Sequence, residues 1–486
     1  MRNPFTKRIS LAATAVVVAA VAAVYFVSGA EGASVSSLDW KPCQDNDKAD
    51  CASVTVPIDW SKRQSGTVDV AVARREATDP KHRIGTLVYV PAGPGSSGVE
   101  AITDDEFFTM LITSPIAERF DVIGLDPRGV KRSHPVTCAK DLVDKVDAVV
   151  PPTREGYDAR LKGNAALMDD CRDRTGPLFD HLDSVSVAKD IEALRSALGE
   201  ESVNLYALSY GTLPAQMYAE QFPDRLRGTV LDSNMDHSLN TKDVMVTGAE
   251  ATQDAFDDLV SWCRDDEECS LHGKDVRAML ADLYAKAEAG DLTEPGDADT
   301  PVTVANLISG IVSPLAVTDR GKAADRIAAL TTGKGKAAPT EQADGEVMPL
   351  PITMQCADFP RGIADYDAFR DAWDASEKAA PDVHFSPLNW SVPQNCLNWD
   401  AGADNPRHRL DVRGAEPVLV LGSRFDTQTP YSWSANVASQ IDGAVLATYE
   451  GPGHGVYQRT DCTRRLVERY LIRGETPRDG VSCPAA

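Results

Sequence analysis

The stretch "NLYALSYGTLPAQMYAEQF", which runs from Asn204 to Phe222, changes its character abruptly in the middle. A short apolar run ends at Leu208, Ser-Tyr-Gly follows, and a helical pattern begins immediately afterwards. A serine between a buried strand and a helix is typical of a nucleophile elbow, a tight turn that exposes the hydroxyl. The alternative is an ordinary helix-capping role for Ser209.

The positions two residues before and after Ser209 must be small, because the backbone of such a turn is crowded. Gly211 meets this requirement. Ala207 stands where the usual pattern has glycine, and its extra methyl group is tolerable where φ stays negative. The helix behind the turn directs its first N–H groups toward Ser209, which favours a developing negative charge there.

Short apolar runs rich in β-branched residues alternate with helical patterns along much of the chain. "GTLVYV" (Gly85–Val90) and "FDVIGLD" (Phe120–Asp126) are bounded by turn residues, as buried parallel strands are. An amphipathic helix over Ser186–Glu200 leads into the strand that ends at Leu208. The alternation predicts an α/β fold with a mostly parallel central sheet and helices on both faces. The other predicted strands are Leu226–Ser233, Pro417–Ser423 and Ala444–Glu450.

The strand signal disappears between about residues 240 and 410. Helical stretches such as Gly248–Arg264 and Asp275–Ala289 alternate there with turns, and Thr331–Glu346 reads as a flexible polar loop. We interpret this segment as a mainly helical cap that walls off a site at the carboxyl ends of the strands. The predicted division is a signal peptide at 1–33, a core at 34–240, the cap at 241–410 and the rest of the core at 411–486.

The N-terminus has the pattern of a targeting segment. Arginine and lysine residues near the start precede an uncharged apolar run from Leu11 to Val27, and small residues follow at 28–30. We therefore expect a cleaved signal peptide and a secreted protein. The alternative is a retained N-terminal membrane anchor with the protein facing outside.

The net charge of −24 argues against nucleic acid and anionic membrane surfaces as partners. Ten cysteines follow the predicted signal, and an even number in an exported chain suggests disulfides. Many connectivities are open to ten cysteines, and no CxxC or His-Cys cluster indicates a metal, so we expect neither a metal nor a cofactor. Proximity in the sequence suggests the pairs Cys43 with Cys51, Cys138 with Cys171, Cys263 with Cys269, Cys462 with Cys483, and Cys356 with Cys396 as the remaining two.

Two later residues strengthen the elbow interpretation. A catalytic triad on this kind of sheet follows the order Ser, then Asp or Glu, then His. Of the eight histidines only His454 follows a strand near the C-terminus, in "EGPGHGVY". "LVLGSRFDTQTP" places Asp426 after the preceding strand. His454 would take the proton of Ser209, and Asp426 would hold the imidazole tautomer and stabilise the imidazolium.

An oxyanion hole needs two backbone N–H groups. Tyr210, directly after the proposed nucleophile, supplies one. The glycine-rich loop "VPAGPGSSG" (Val90–Gly98) supplies the other, for which we choose Gly93. The alternative, a phosphate-binding loop, is disfavoured because the GxxxxGK[ST] lysine is missing and the glycine spacing does not match GxGxxG.

The ordered motifs of this chain resemble those of one family. "AGPGSSG", "FDVIGLDPRGVKRS", the block around "LSYGT", "WCRDDEECSL", "CADFP", "CLNW", "DTQTP" and "GPGHG" occur in sequence. Together they resemble the proline iminopeptidase and tripeptidyl aminopeptidase group of α/β hydrolases, especially its secreted, disulfide-bearing bacterial branch. The likeness covers nearly all of the mature chain. The departures are Ala92, Lys131, Ala207 and "LDSNMDHS", none of which removes a proposed catalytic group.

The resemblance implies an α/β-hydrolase fold and a serine exopeptidase that releases tripeptides, or single residues such as proline, from peptides with a free N-terminus. For the family, Asp126 and Arg128 are better read as structural, as a buried ion pair or a turn anchor behind the oxyanion loop. Recognition of a free amine needs carboxylates at the far end of the pocket, for which Asp236 and Glu250 are candidates. Two alternatives remain, a secreted carboxylesterase with the same triad and a catalytically silent binding protein of this fold.

Overall fold

A computed structural model describes residues 38–62, 64–146, 153–334, 346–359, 363–399 and 405–486. The predicted signal peptide and most of the predicted polar loop at 331–346 lie outside the described residues. Within the described ranges, no helix combines the length and the apolar character that crossing a membrane requires.

Ten of the fourteen strands in the described part of the chain form one central sheet, and the other four form two small two-stranded sheets. The strands are β1 (Lys41–Pro42), β2 (Asp50–Pro57), β3 (Thr67–Arg75), β4 (Gly85–Val90), β5 (Phe120–Leu125), β6 (Thr137–Ala139), β7 (Val203–Leu208), β8 (Leu226–Asp232), β9 (Thr293–Glu294), β10 (Asp297–Pro301), β11 (Val347–Pro349), β12 (Val418–Phe425), β13 (Val445–Pro452) and β14 (Val481–Cys483).

The order in the large sheet is β1-β2-β3-β5-β4-β7-β8-β12-β13-β14. Its first three strands pair antiparallel, β3 joins β5 antiparallel, and every pair from β5 to β14 is parallel. The predicted mostly parallel sheet is therefore confirmed. Strand β4 is buried along its whole length, which is why its sequence reads as an uninterrupted apolar run.

The helices fill the connections between these strands. They are α1 (Gly98–Thr103), α2 (Asp105–Leu111), α3 (Ser114–Arg119), α4 (Lys140–Val146), α5 (Arg154–Thr175), α6 (Ser184–Leu198), α7 (Thr212–Gln221), α8 (Thr241–Asp265), α9 (Val276–Ala289), α10 (Val304–Ala316), α11 (Arg320–Thr332), α12 (Ile352–Asp358), α13 (Tyr366–Ala379), α14 (Pro387–Asn395), α15 (Tyr431–Ala438) and α16 (Asp461–Arg473). Contacts join α6 to α7, α1 to β3 and β5, and α16 to α3 and β8.

The segment predicted as a cap has its own hydrophobic cluster, built from α8 to α11, α13 and α14 around side chains such as Phe256 and Trp390. The boundaries between the core and the cap remain a prediction from the sequence. Tyr157 of α5 also packs in this cluster, although the sequence division leaves α5 in the core. Asn164 of the same helix donates to the carbonyl oxygens of Gln394 at 2.8 Å and Leu397 at 3.0 Å. The segment from β6 to α5 therefore packs with the helices that follow β8.

Disulfides join the same five cysteine pairs that proximity in the sequence suggests. The Cys462–Cys483 bond ties α16 to the edge strand β14, and Cys356–Cys396 ties α12 to the end of α14. Such cross-links stabilise a fold chiefly by restricting the unfolded chain, by about 2–4 kcal/mol each. They are typical of proteins from oxidising compartments.

Candidate active site

Ser209 directly follows β7 and has a φ of +57°. This left-handed conformation is strained for a residue with a side chain, and strain of this kind concentrates at functional turns. A Cβ at Gly211 would lie 2.3 Å from the carbonyl oxygen of Val90 and 2.5 Å from that of Pro91. Only glycine therefore lets this turn pack against the end of β4.

Ala207 fits its position without strain. The residue lies within β7, in register with Val90 on one side and Leu231 on the other. It is fully buried, and its extended backbone requires no positive φ. The departure from the usual glycine therefore adds a methyl group to a strand and does not alter the turn.

Asp426 and His454 are in direct contact. The His454 Nδ1 atom lies 2.9 Å from Asp426 Oδ2 and 3.1 Å from Oδ1. The carboxylate also accepts hydrogen bonds from the N–H groups of Gln428 at 2.9 Å and Thr429 at 3.0 Å. Burial alone would raise the pKa of Asp426, but the facing imidazole and these donors outweigh burial and hold the pKa below its ordinary value.

The imidazole of His454 is largely buried and carries one free nitrogen. Burial lowers its pKa, but the carboxylates of Asp426 and, more weakly, Asp232 outweigh burial and place the pKa above the usual 6.5. Its Nε2 atom is buried and has no hydrogen-bond partner among the described residues. With the Nδ1 proton directed at Asp426, Nε2 is the lone-pair nitrogen of the neutral ring and can accept a proton.

The histidine loop, residues 453–457, lies against the elbow. Asp232, which pairs in register with Leu208 at the ends of β8 and β7, accepts hydrogen bonds from two loop N–H groups. They come from Val456 at 2.8 Å and Tyr457 at 2.9 Å. A Cβ at Gly455 would lie 3.5 Å from the side chain of Leu208. The residue before Ser209 and the residue after His454 are therefore neighbours.

The glycine-rich loop after β4 contains Gly93, whose φ is +123°. A Cβ there would lie 2.6 Å from the backbone nitrogen of Gly95, so the loop can only close with glycine at 93. Behind the loop, the fully buried Asp126 accepts hydrogen bonds from the Ser97 hydroxyl and from the Val99 N–H at 3.1 Å. Asp126 is thus an anchor of this loop.

Arg128 belongs to a separate network. Its guanidinium binds the carboxylate of Asp190 on α6 through two hydrogen bonds, at 2.7 Å and 2.5 Å, and both side chains are fully buried. It also donates to the carbonyl oxygens of Ile58 and His181. Asp126 and Arg128 therefore do not pair with each other, and each has a structural role.

The two candidate amine anchors occupy different environments. Asp236 is buried, and its carboxylate already accepts hydrogen bonds from Ser238 and Asn436. Glu250 is exposed on α8, where partial burial and the nearby Asp254 raise its pKa. Among the described residues, no hydrogen bond or ion pair links either of them to the proposed triad. The amine anchor stays a prediction.

Two family models match the chain. One is described as an alpha/beta hydrolase fold and matches residues 85–309, and one is described as a TAP-like protein and matches residues 382–483. Together they span the elbow, the acid and the histidine.

Three curated relatives match almost the whole chain. Serine protease Hip1 of Mycobacterium tuberculosis is 27% identical over 482 residues, covering 92% of this chain and 91% of that protein. Tripeptidyl aminopeptidase of Streptomyces lividans is 28% identical over 490 residues, covering 93% and 87%. Carboxylesterase B of Mycobacterium tuberculosis is 27% identical over 458 residues, covering 90% and 86%.

The chain has the α/β-hydrolase fold, and it is similar to TAP-like proteins. It is accordingly a serine hydrolase.

This serine hydrolase also contains a buried carboxylate that the sequence did not point to. Asp358, the last residue of α12, accepts hydrogen bonds from the Tyr210 hydroxyl and the Ser184 hydroxyl, each at 2.6 Å, and from Asn405 at 2.8 Å. It thereby ties the residue after Ser209 to α12 and to the start of α6. The only sequence signal was an acidic residue inside the motif "CADFP", and no spacing rule connects it to position 210.

Proposed function

We propose that this protein is an exported serine exopeptidase that removes short peptides from free N-termini through Ser209, His454 and Asp426. One observation carries the proposal. A histidine held by a buried carboxylate has a free Nε2, and its loop packs beside a strained serine. A histidine oriented in this way activates a serine hydroxyl when its Nε2 accepts a hydrogen bond from Oγ, and we propose that the Ser209 hydroxyl makes this bond during catalysis.

In the proposed reaction, Ser209 Oγ attacks the scissile carbonyl carbon while its proton passes to His454 Nε2. The N–H groups of Gly93 and Tyr210 bind the resulting oxyanion. The carbon–nitrogen bond then breaks, and the amine leaves with the proton from His454. Water, deprotonated by His454, hydrolyses the acyl-enzyme, and the proton returns to Ser209 Oγ.

Asp426 would keep the Nδ1 proton in place and stabilise the imidazolium that forms at each transfer. Its full burial and its backbone donors support this role, because they keep the carboxylate ionised and fixed in orientation. The strained conformation of Ser209 supports a reactive role, because an ordinary capping serine needs no positive φ.

The peptide substrate is proposed from the relatives. Two of them are named as a serine protease and a tripeptidyl aminopeptidase. A tripeptidyl product requires that the substrate amine be bound at a fixed distance from Ser209, for which Asp236 and Glu250 are the candidates. Glu250 is the better one to test first, because its carboxylate is exposed whereas Asp236 is bound by neighbouring side chains.

A second candidate function is ester hydrolysis. A relative of similar identity is named as a carboxylesterase, and the same triad can cleave both ester and amide bonds. A catalytically silent binding protein is less well supported, since the candidate site carries every group that acyl transfer needs.

The test compares a chromogenic tripeptide amide, the same amide with an acetylated N-terminus, and short acyl esters. We expect the free tripeptide amide to be cleaved with the highest kcat/KM and acetylation to lower it at least tenfold. Activity confined to esters would reject the peptidase proposal in favour of the esterase. Equal cleavage of the free and the acetylated amide would reject the proposed requirement for a free N-terminus on the substrate.

Export is proposed from the targeting pattern at 1–33 and from the disulfides. N-terminal sequencing of the protein recovered from outside the producing cell tests it. A start within residues 29–36 agrees with cleavage, whereas an intact Met1 in the membrane fraction indicates the retained anchor.

A further inference from the structure

The backbone of the histidine loop is bound from several sides. On the side of the sheet, the end of β8 accepts three loop N–H groups. Ser233 Oγ accepts from Gly455 at 2.9 Å, and the Asp232 carboxylate accepts from Val456 and Tyr457. These bonds fix the residues that follow His454, but not the backbone of His454 itself.

Helix α10 contacts the loop at the histidine. The His454 N–H donates to the carbonyl oxygen of Ala316, the last residue of α10, at 2.9 Å. One residue earlier, a Cβ at Gly453 would lie 2.4 Å from Thr318 Cγ2, and Gly453 has a φ of +105°. The end of α10 and the loop thus pack so closely that glycine is required at 453.

Arg459 binds two carbonyl groups of the loop. Its Nε donates to the carbonyl oxygen of Gly455 at 2.7 Å, and its Nη2 donates to the carbonyl oxygen of His454. Its Nη1 lies 3.5 Å from Thr318 Oγ1, a weaker contact with the turn after α10. The planar guanidinium therefore holds two successive carbonyl groups in a fixed geometry, which a lysine could not do.

The recorded partners of this arginine are not the acidic side chains that the composition offers. Asp and Glu number 73 against 49 Lys and Arg, so acidic partners are abundant. Among the described residues, however, the recorded side-chain hydrogen bonds of Arg459 go to backbone carbonyls and a hydroxyl, and none goes to a carboxylate. The half-buried guanidinium instead binds the backbone of the histidine loop.

We propose that Arg459 is a positioning residue that joins the histidine loop to the end of helix α10 and so keeps the imidazole aligned with Ser209. The proposed role requires no contact between Arg459 and the substrate. The inference rests on the proposed role of His454 as the base. A displacement of about 1 Å at a reacting group can cost on the order of 100-fold in rate, so the loss of this contact is measurable.

The positive charge of Arg459 provides a second measurable effect, on the pKa of His454. The charged groups that act on the imidazole are Asp426 at the end of β12, Asp232 at the end of β8, and Arg459 beside its own loop. The two carboxylates favour the imidazolium, whereas the Arg459 cation disfavours it. Removal of that cation should raise the pKa of His454 and move the acid limb of activity to higher pH.

The experiment uses the full mature enzyme with Arg459→Gln, Arg459→Lys and the control Arg465→Gln. Arg465 is an exposed residue of α16 whose ion pair with Asp461 is long, at 3.9 Å. The rate of labelling by a fluorophosphonate probe reports the reactivity of Ser209 independently of the substrate class. The end-point stoichiometry reports the folded fraction. Steady-state kinetics and pH profiles are recorded on whichever substrate the wild type cleaves.

We expect Arg459→Gln to lower kcat and the labelling rate at least 30-fold, to leave KM within threefold, and to move the acid limb to higher pH. Arg459→Lys should also lose rate but keep the acid limb near its wild-type position, because its charge remains. The control should behave as the wild type.

Rates within threefold of the wild type in both Arg459 variants would overturn the proposal. A lower labelled fraction with a normal kcat per labelled molecule would assign Arg459 to folding alone and would also overturn it. His454→Ala separates this inference from the proposed function. Activity in His454→Ala would reject the base itself, whereas a dead His454→Ala beside normal Arg459 variants would reject only the positioning role.

Discussion

His454 Nδ1 lies 2.9 Å from Oδ2 of the fully buried Asp426. This contact joins the loops that follow two adjacent parallel strands, β12 and β13. Because the carboxylate also accepts two backbone N–H groups, it is held in one orientation, with both oxygens within 3.1 Å of Nδ1. The relationship determines which nitrogen of His454 is free to react.

Asp426→Asn should therefore lower kcat by about 10⁴, the size of loss that the same substitution causes in serine protease triads. An asparagine keeps the shape, but it can present an N–H to Nδ1 and favours the wrong tautomer. The measurement is kcat on the preferred substrate, with Asp411→Asn as an exposed control on the same half of the core. A loss below tenfold would remove Asp426 from the triad.

Ser209→Ala should abolish turnover and labelling by a fluorophosphonate probe, because no other group in the proposed mechanism forms the acyl-enzyme. Thermal unfolding should stay within a few degrees of the wild type, since the change removes a single oxygen atom from a small side chain. Labelling that persists in this variant would identify a different nucleophile.

The acid limb of the activity should have its midpoint above pH 6.5. The proposed base must be neutral, so activity falls as the pH drops through the pKa of His454, which its carboxylate neighbours raise above the usual value. Asp426→Asn removes the main cause of that rise and should lower the midpoint of the residual activity. A midpoint below pH 6 in the wild-type kcat/KM profile would contradict this assignment.

The same shift has a consequence for stability. A pKa that is higher in the folded state than in the unfolded state stabilises the folded protein at low pH. The contribution of His454 should thus be complete below an unfolded pKa of about 6.5 and should disappear as the pH rises through the folded pKa. Urea unfolding of the wild type and His454→Gln at several pH values measures it. A difference in the free energy of unfolding that grows with pH would have the wrong sign.

The elements that the sequence predicted best are those buried on both faces. The bounds of β4 match the predicted Gly85–Val90, and β7 ends at Leu208 as predicted, because turn residues delimit these apolar runs. The sequence predicted Asp426 and His454 because each one follows a late strand, in the order that a triad on this kind of sheet requires. In the structure these two side chains meet, and the histidine loop packs beside the elbow.

The contacts that support the candidate site could not be predicted from the sequence, because they join residues far apart in the chain. Asp358 and the Tyr210 hydroxyl are separated by 148 positions, and Asp232 and the Val456 N–H by 224. No periodicity links such partners. The antiparallel strands β1 to β3 at the edge of the sheet were also not predicted individually. β1 is short and exposed, and β2 and β3 are buried only in part, so none of them gives the continuous apolar run that identified β4.

The elbow makes opposite predictions for its two small residues. Ala207→Gly should leave turnover within about tenfold, or roughly 1.4 kcal/mol, because the alanine lies in a regular strand. Gly211→Ala should lower the yield of folded enzyme or its kcat by far more, because the new Cβ would meet two backbone carbonyl oxygens that cannot move aside easily. Kinetics normalised to the labelled fraction compare the two. Similar losses in both variants would contradict the close approach of the turn to β4.

The buried pair of Arg128 and Asp190 predicts a loss of stability without a change in the chemistry. Arg128→Met leaves the Asp190 carboxylate buried without its main partner, and breaking a buried pair in this way costs about 3–5 kcal/mol. The double variant with Asp190→Leu should recover part of that loss, because the orphaned charge is gone. Urea unfolding measures both, and kcat per labelled molecule should stay within a few-fold of the wild type. A single variant as stable as the wild type, or a double variant less stable than the single one, would show that the pair does not stabilise the fold in this way.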